Sequence, residues 1–312
     1  MTEAAAFPAA VPALPQGPAA VPAPTRGKLA AYVALTKPRI IELLLVTTVP
    51  AMVVAERGMP SAWLILATML GGTLAAAGAN ATNMVIDRDI DKKMRRTRGR
   101  PLVTGEITPR SALVFAVALE VVAAVWLAVV VNPLSAGLAV AATLFYVLVY
   151  TIWLKRTSTQ NIVIGGAAGA VPVLVGWAAV TNELAVAPFA MFAIIFAWTP
   201  PHFWALAIRY REDYARAEVP MLPVVATFDE TAKRIVGYTV VLWVTSLAFW
   251  PLGDMGPVYL GAAVVLGAMF TWKAVKLARS HVPDSAMSLF RFSISYITLL
   301  FGAMAADQLL LP

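Results

Sequence analysis

Asn83, Asp87 and Asp91 stand four residues apart at the end of a long apolar run. On a helix such positions share a face, so one amide oxygen and two carboxylates point the same way. Oxygen ligands of this kind suit a hard cation such as Mg²⁺, which takes few protein carboxylates and leaves room for phosphate oxygens. Asn83, Asp87 and Asp91 are therefore the candidate metal ligands, and Asp87 and Asp91 candidate catalytic acids. Seven cations follow closely: Arg88, Lys92, Lys93, Arg95, Arg96, Arg98 and Arg100. Gly99 and Pro101 break the helix among them and predict an irregular loop. Such a loop can fold guanidinium groups over a diphosphate, which arginine binds bidentately. Arg96, Arg98 and Arg100 are the candidate contacts. Asp89 falls on another face and reads as a surface acid. In a soluble protein the same acids would read as a solvated helix end, so the surrounding chain must decide.

Three further stretches carry chemistry. Arg209-Tyr-Arg211-Glu-Asp213 follows the sixth apolar run and is trailed by Pro220-Met-Leu-Pro223. Setting Asn83 against Ala205 puts Asp87 opposite Arg209 and Asp91 opposite Asp213, a degenerate second copy of the first motif. Asp213 is thus a candidate catalytic acid and Arg209 a candidate substrate contact. Lys155 and Arg156 close the fourth apolar run. Snorkelling is the ordinary role for such residues, but Lys155 shares a plane with both acidic stretches and could hold a phosphate. Trp198-Thr-Pro-Pro-His202-Phe-Trp204 sets two prolines and one of only two histidines inside an apolar run. Adjacent prolines predict a broken helix unless the bundle re-satisfies the backbone. An ionisable residue there is a candidate for function, and the nearby aromatic faces suit a carbocation or a flat macrocycle. An aromatic belt at the bilayer edge is the plainer reading of those rings. His281 lies in a polar loop and receives no role. Glu42 and Glu120 lie within apolar runs and are expected to face the interior or to snorkel.

The elements that position these residues follow from composition. The chain has 312 residues, 60% hydrophobic and 13% charged, against about 25% charged in an average soluble domain. That composition predicts a polytopic membrane protein. There is no cysteine, which excludes disulfides, thiolate catalysis and Cys-based metal sites. Residues 1–27 are Ala- and Pro-rich and carry no Lys or Arg before Arg26. They lack the basic n-region of a signal peptide and read as a disordered cytoplasmic tail, leaving 28–312 as one domain. Runs long enough to cross a bilayer are expected at 38–56, 61–86, 110–131, 134–154, 160–181, 185–207, 234–252, 255–274 and 289–310. With the amino terminus in the cytoplasm, all of the 24 Lys and Arg residues except Arg57 fall on the cytoplasmic side, as the positive-inside rule requires. The carboxyl terminus is then on the opposite side. This placement accounts for the net charge of +7 without nucleic acid.

With these motifs on the page, the chain resembles the UbiA-type intramembrane prenyltransferases over about residues 30–310. The resemblance rests on Asn83-x₃-Asp87-x₃-Asp91, on the nine spans and on the second charged stretch after the sixth. Within the family it is most similar to the branch that farnesylates heme b (protoheme IX). Leu35-Thr-Lys-Pro-Arg39, Arg95-Arg-Thr-Arg-Gly-Arg-Pro-Leu102, Tyr150-Thr-Ile-Trp-Leu-Lys-Arg-Thr157, Trp198–Leu206 and Asp213-Tyr-x₅-Pro-Met-Leu-Pro223 carry that similarity. The resemblance implies an all-α bundle of nine transmembrane helices around a central cavity, open to the cytoplasmic side, in the cell inner membrane. It implies Mg²⁺ held on a diphosphate by Asn83, Asp87 and Asp91. The reaction implied joins the farnesyl group of farnesyl diphosphate to a vinyl group of heme b, with water, giving heme o. Partners would be the two substrates, the lipid bilayer and downstream heme A synthase or oxidase assembly proteins, with no nucleic acid. Many relatives carry two acids in the second motif. Here only Asp213 remains, and Arg209 would supply fixed positive charge instead. A quinone-pathway aromatic prenyltransferase shares the first motif, although the His202 and Asp213-Tyr segments point away from it. A transporter of lipid or anions would favour inverted repeats and midplane charges. Here the acids gather at one interface and the weak repeat keeps one orientation.

Overall fold

The computed structural model describes residues 26–280 and 282–310. Positions 1–25 of the expected tail and His281 lie outside the described residues, as do the side chains of Arg39 and Glu42. Among the described residues the regular structure is all helical, and nine long helices follow one another. They are Pro38–Glu56, Ala62–Ile86, Pro109–Val131, Pro133–Thr157, Asn161–Thr181, Val186–Arg209, Phe228–Leu252, Pro257–Ser280 and Pro283–Leu310. Eight are long and apolar enough to cross a membrane, and the first, with 19 residues, completes the set. The chain is a multi-pass membrane protein. Valines and leucines such as Val114, Val117, Val121 and Val125 stand exposed along the third helix, as lipid contact demands.

The expected spans agree with these helices in number and order but not at every end. The seventh begins at Phe228, six residues before the expected 234, because Thr227 caps it. Its hydroxyl accepts from the Glu230 amide at 3.2 Å, the half of a capping box that a Thr-x-x-Glu spacing encodes. The eighth likewise runs on to Ser280, and the ninth starts at Pro283. Hydropathy marks only the bilayer-crossing part of a helix, and these helices project beyond it.

The expected break at Pro200-Pro201 does not occur, and Val186–Arg209 is one continuous helix. A proline inside a helix costs about 3 kcal/mol when nothing compensates. Here the helix lies deep in the bundle against the fifth, seventh and ninth helices. Packing outweighs the local preference.

A second departure is the π-helical stretch Phe145–Leu154 toward the C-terminal end of the fourth helix. Its wider turn lets residues five apart interact. Thr151 donates to Tyr146 O at 2.8 Å, and Tyr146 stacks on Tyr150 with ring centres 5.4 Å apart. Close approach of the first and fifth helices needs Gly176, where an added Cβ would sit 2.6 Å from Thr48 O.

The connections sort by end. Lys93–Glu218 (2.8 Å), Arg156–Asp89 (2.8 Å) and Arg96 N–Asp213 (3.3 Å) tie together the loops after the second, fourth and sixth helices. At the other end Arg57 pairs with Asp254 at 3.4 Å, joining the loops after the first and seventh. The one basic residue set apart by charge counting is thus at the end opposite the rest of these loops.

Candidate active site

The second long helix ends at Ile86, and a short helix, Arg88–Lys93, starts beyond Asp87. The expected single helix through Asn83, Asp87 and Asp91 is therefore interrupted, though the backbone bonds Asp87 N to Asn83 O and Asp91 N to Asp87 O persist at 2.9 and 2.8 Å. Asp87 itself is fully buried. Its Oδ2 accepts from the Asn83 amide at 2.8 Å and pairs with Lys155, which the π-helical stretch delivers from the fourth helix. Arg156 stands 3.7 Å from Oδ1, too far for a hydrogen bond. Oδ1 is thus sealed from solvent without a hydrogen-bond partner.

Asn83 is equally committed. Its Oδ1 accepts from Lys37 at 2.7 Å, and its Nδ2 donates to Asp87 and to Thr151 at 3.1 Å. Lys37 reaches this point because it sits in the left-handed conformation (φ 53°) between the Lys28–Thr36 helix and Pro38. Burial holds its pKa well below the usual lysine value, and the neighbouring Arg100 and Lys155 add to this against Asp87 and Asp91.

Asp91 is buried and gripped at both oxygens by Arg100, at 2.7 and 2.8 Å. The expected irregular loop contains one helical turn, Pro101–Thr104, closed by Gly105 at φ 82°. Pro at the first helical position and a left-handed glycine after the last are the ordinary bounds of a helical turn. Asp89 points outward and binds Arg156, whose hydrogen bonds hold its carboxyl down at about 2. Asp213 is buried, pairs with Arg216 and accepts from Arg96 N. The Arg96 guanidinium lies over Tyr210, 5.4 Å from the ring centre.

The structure therefore gathers Asn83, Asp87, Asp91, Lys155, Arg100, Arg96 and Asp213 at one end of the bundle. Arg98 and Arg209 stand exposed there. His202 is elsewhere, buried between the sixth and ninth helices against Trp198 and Phe290. Glu120, within the third helix, turns to Thr143 of the fourth at 3.2 Å. Lys37 and Thr151 lie within the Leu35–Arg39 and Tyr150–Thr157 stretches but were not singled out as site residues. Each meets Asn83 only through the fold. An apolar cleft of about 360 Å³ adjoins Lys37, lined by Thr36, Pro38, Ile41, Leu74 and Phe115 among others.

Acids and cations gathered at one face of an apolar helical bundle can hold a polyanion whose remaining part is a lipid. Residues 44–297 match the model of the UbiA prenyltransferase family. The chain belongs to the UbiA prenyltransferase family. It is 53% identical over 286 residues to a protoheme IX farnesyltransferase of Clavibacter michiganensis subsp. michiganensis, covering 91% of this chain and 94% of that one. A protein of the same name from a Nocardioides strain is 54% identical over 288 residues, covering 90% and 92%. Among solved structures, a digeranylgeranylglyceryl phosphate synthase superposes with a TM-score of 0.75 at 17% identity, covering 91% of this chain and 99% of that one. A UbiA homologue of Archaeoglobus fulgidus bound to GPP and Mg²⁺ gives 0.67 at 16%, covering 88% and 99%. These two establish the fold, which this UbiA chain shares across nearly its whole length.

Proposed function

We propose that this UbiA prenyltransferase moves the farnesyl group of farnesyl diphosphate onto a vinyl group of heme b, with water, to form heme o. The relatives from Clavibacter and Nocardioides support that acceptor by name and disfavour an aromatic-acid acceptor or a transporter. The observation that carries the reading is the buried Asp87. A sealed carboxylate oxygen with no hydrogen-bond partner, beside Lys155 and Arg156, fits a hard cation on one side and phosphate oxygens on the other.

Among the described residues no three acids or histidines converge on one point. A magnesium ion would be held by Asp87 and Asp91, with Asn83 joining only if Lys37 released its amide oxygen. When bound, Mg²⁺ would neutralise charge that develops on the leaving diphosphate. The remaining work belongs to this chain's own side chains. Each acid is already paired with a cation, so Lys155 and Arg100 must turn from carboxylate to phosphate as substrate enters. They hold the diphosphate while the allylic C–O bond opens, and Arg96 guards the opposite edge beside Asp213. Arg98 and Arg209, exposed at the rim, add charge that draws the substrate in. The cleft by Lys37 offers the prenyl chain an apolar wall. The resulting cation is attacked by the electron-rich vinyl carbon, and water adds to the cation left on the vinyl group and gives up a proton, completing the hydroxyethyl group.

The concentration of Lys and Arg at the end that bears the site supports a cytoplasmic location for that end and for the amino terminus under the positive-inside rule, in a bacterial inner membrane. The test is product mass. Purified protein with heme b, farnesyl diphosphate and Mg²⁺ should yield heme o, and chelation should abolish it. Heme b recovered unchanged, with an aromatic acid farnesylated instead, would overturn the assignment.

A further inference from the structure

His202 lies inside the sixth helix, seven residues before Arg209. That is two helical turns, about 10 Å along the axis, from the charged end of the bundle. Its ring stacks on Trp198 with centres 4.2 Å apart and faces Phe290 at 4.7 Å and Phe203 at 5.1 Å. Nδ1 is 2.6 Å from the hydroxyl of Ser293 in the ninth helix. The direction of that bond follows from a second one. The Ser293 hydroxyl donates its only proton to Phe290 O, also at 2.6 Å. It must therefore accept from His202, which puts the ring proton on Nδ1 and leaves Nε2 as a bare lone pair. The Trp198 indole donates to the Ser293 carbonyl oxygen at 2.8 Å, which anchors the ninth-helix backbone beside the ring. No hydrogen bond from a described residue reaches Nε2, and Nε2 is not among the sealed unpartnered atoms.

A neutral imidazole with one nitrogen anchored and the other offered is the arrangement proteins use to bind a metal. We propose that Nε2 of His202 ligates the iron of the acceptor macrocycle, with Ser293 as the residue that fixes its tautomer. Trp198 stacks on the imidazole, Phe290 packs tilted against it and Phe203 meets it edge-on. This rests on heme b being the acceptor, and it adds that the enzyme recognises the metal as well as the ring.

The test uses full-length wild-type protein in lipid nanodiscs, titrated with heme b and with metal-free protoporphyrin IX. Loss of a ligand's hydrogen-bonded support costs about 10–100-fold in metal affinity. The metal-free ring should thus bind wild type at least about tenfold more weakly than heme b. His202→Ala should lower heme affinity until the two match, alter the Soret band and leave farnesyl diphosphate affinity unchanged. Imidazole in the buffer should restore the band, and Ser293→Ala should give an intermediate loss. Equal affinity of wild type for both rings would overturn the proposal, and needs no variant to fold. So would a Soret band unmoved in His202→Ala. If heme b binds through His202 but is not farnesylated, the acceptor reading fails while the ligand assignment stands. If wild type binds neither ring, both fall.

Discussion

Asp87 and Asp307 are both aspartates buried to within 1% of fully, at opposite ends of the same bundle. Asp307 lies in the last helix and meets the start of the eighth. Tyr259 N donates to its Oδ1 at 3.0 Å and Gly256 N donates to Oδ2. Its partners are backbone amides at a helix N-terminus, where a carboxylate also meets the favourable end of the macrodipole. Nothing there can move without unwinding a helix. Asp87 is held instead by Asn83, Lys155 and Arg156, all side chains, and one of its oxygens is left without a hydrogen bond. Burial alone does not distinguish the two carboxylates. The kind and completeness of their partners does.

That contrast can be broken by experiment. The largest effect is expected at Asp87. Asp87→Asn should lower turnover by about 10²–10³-fold, the scale of losing one strong electrostatic contact in a transition state, while the melting temperature stays near that of wild type. Unfolding in parallel with the loss of activity would make Asp87 a structural residue like Asp307. Lys155→Met should raise KM for farnesyl diphosphate about tenfold or more, since a charge-assisted phosphate contact is lost, with kcat reduced less. Asp307→Asn should show the inverse pattern. Thermal unfolding in detergent should reveal a loss of about 1–3 kcal/mol, the usual cost of a weakened buried bond, and the folded fraction should turn over normally.

A subtler difference should appear in pH profiles. Lys37 loses its proton below the usual lysine range because burial, Arg100 and Lys155 disfavour its charge. The charge that Lys37 places beside Asn83 is therefore present at low pH and lost as pH rises through that depressed pKa, and a diphosphate held there should bind more weakly as it is lost. Lys37→Arg should carry the alkaline limb of substrate affinity to higher pH, and an unmoved limb would remove Lys37 from the site. Asp89 should matter least. Its carboxyl is held near 2 rather than 3.8, so its pairing with Arg156 contributes above its ordinary pKa and is lost as pH falls through about 2. Being largely exposed, it should cost under about 1 kcal/mol on Asp89→Asn, with normal turnover at neutral pH.

Much of the fold was legible because it rests on local signals. Runs of apolar residues and the one-sided Lys and Arg are readable without any long-range contact, whereas Pro101, expected to break the helix, opens a helical turn instead. The span ends at 234, 274 and 289 were misplaced because hydropathy reports lipid, not helix. The helix through Pro200-Pro201 and the π-helical stretch at 145–154 could not be foreseen, since in both a local penalty is outweighed by packing against neighbouring helices.

The site divides in the same way. Asn83, Asp87 and Asp91 are marked by their spacing along one strand of sequence, and their placement at a membrane edge follows from the apolar run before them. Which cation faces which acid was not readable: Lys155 and Arg156 share the fourth helix, yet one pairs with Asp87 while the other reaches Asp89 as well. Nor was the joining of Lys37 to Asn83, 46 residues away, or of His202 to Ser293 across 91 residues. Sequence by itself determined the residue types, the helices and the end of the bundle at which charge collects, because those depend on neighbours along the chain. Only the tertiary structure decided the pairings, because the distance between side chains on different helices is set by how the whole bundle packs.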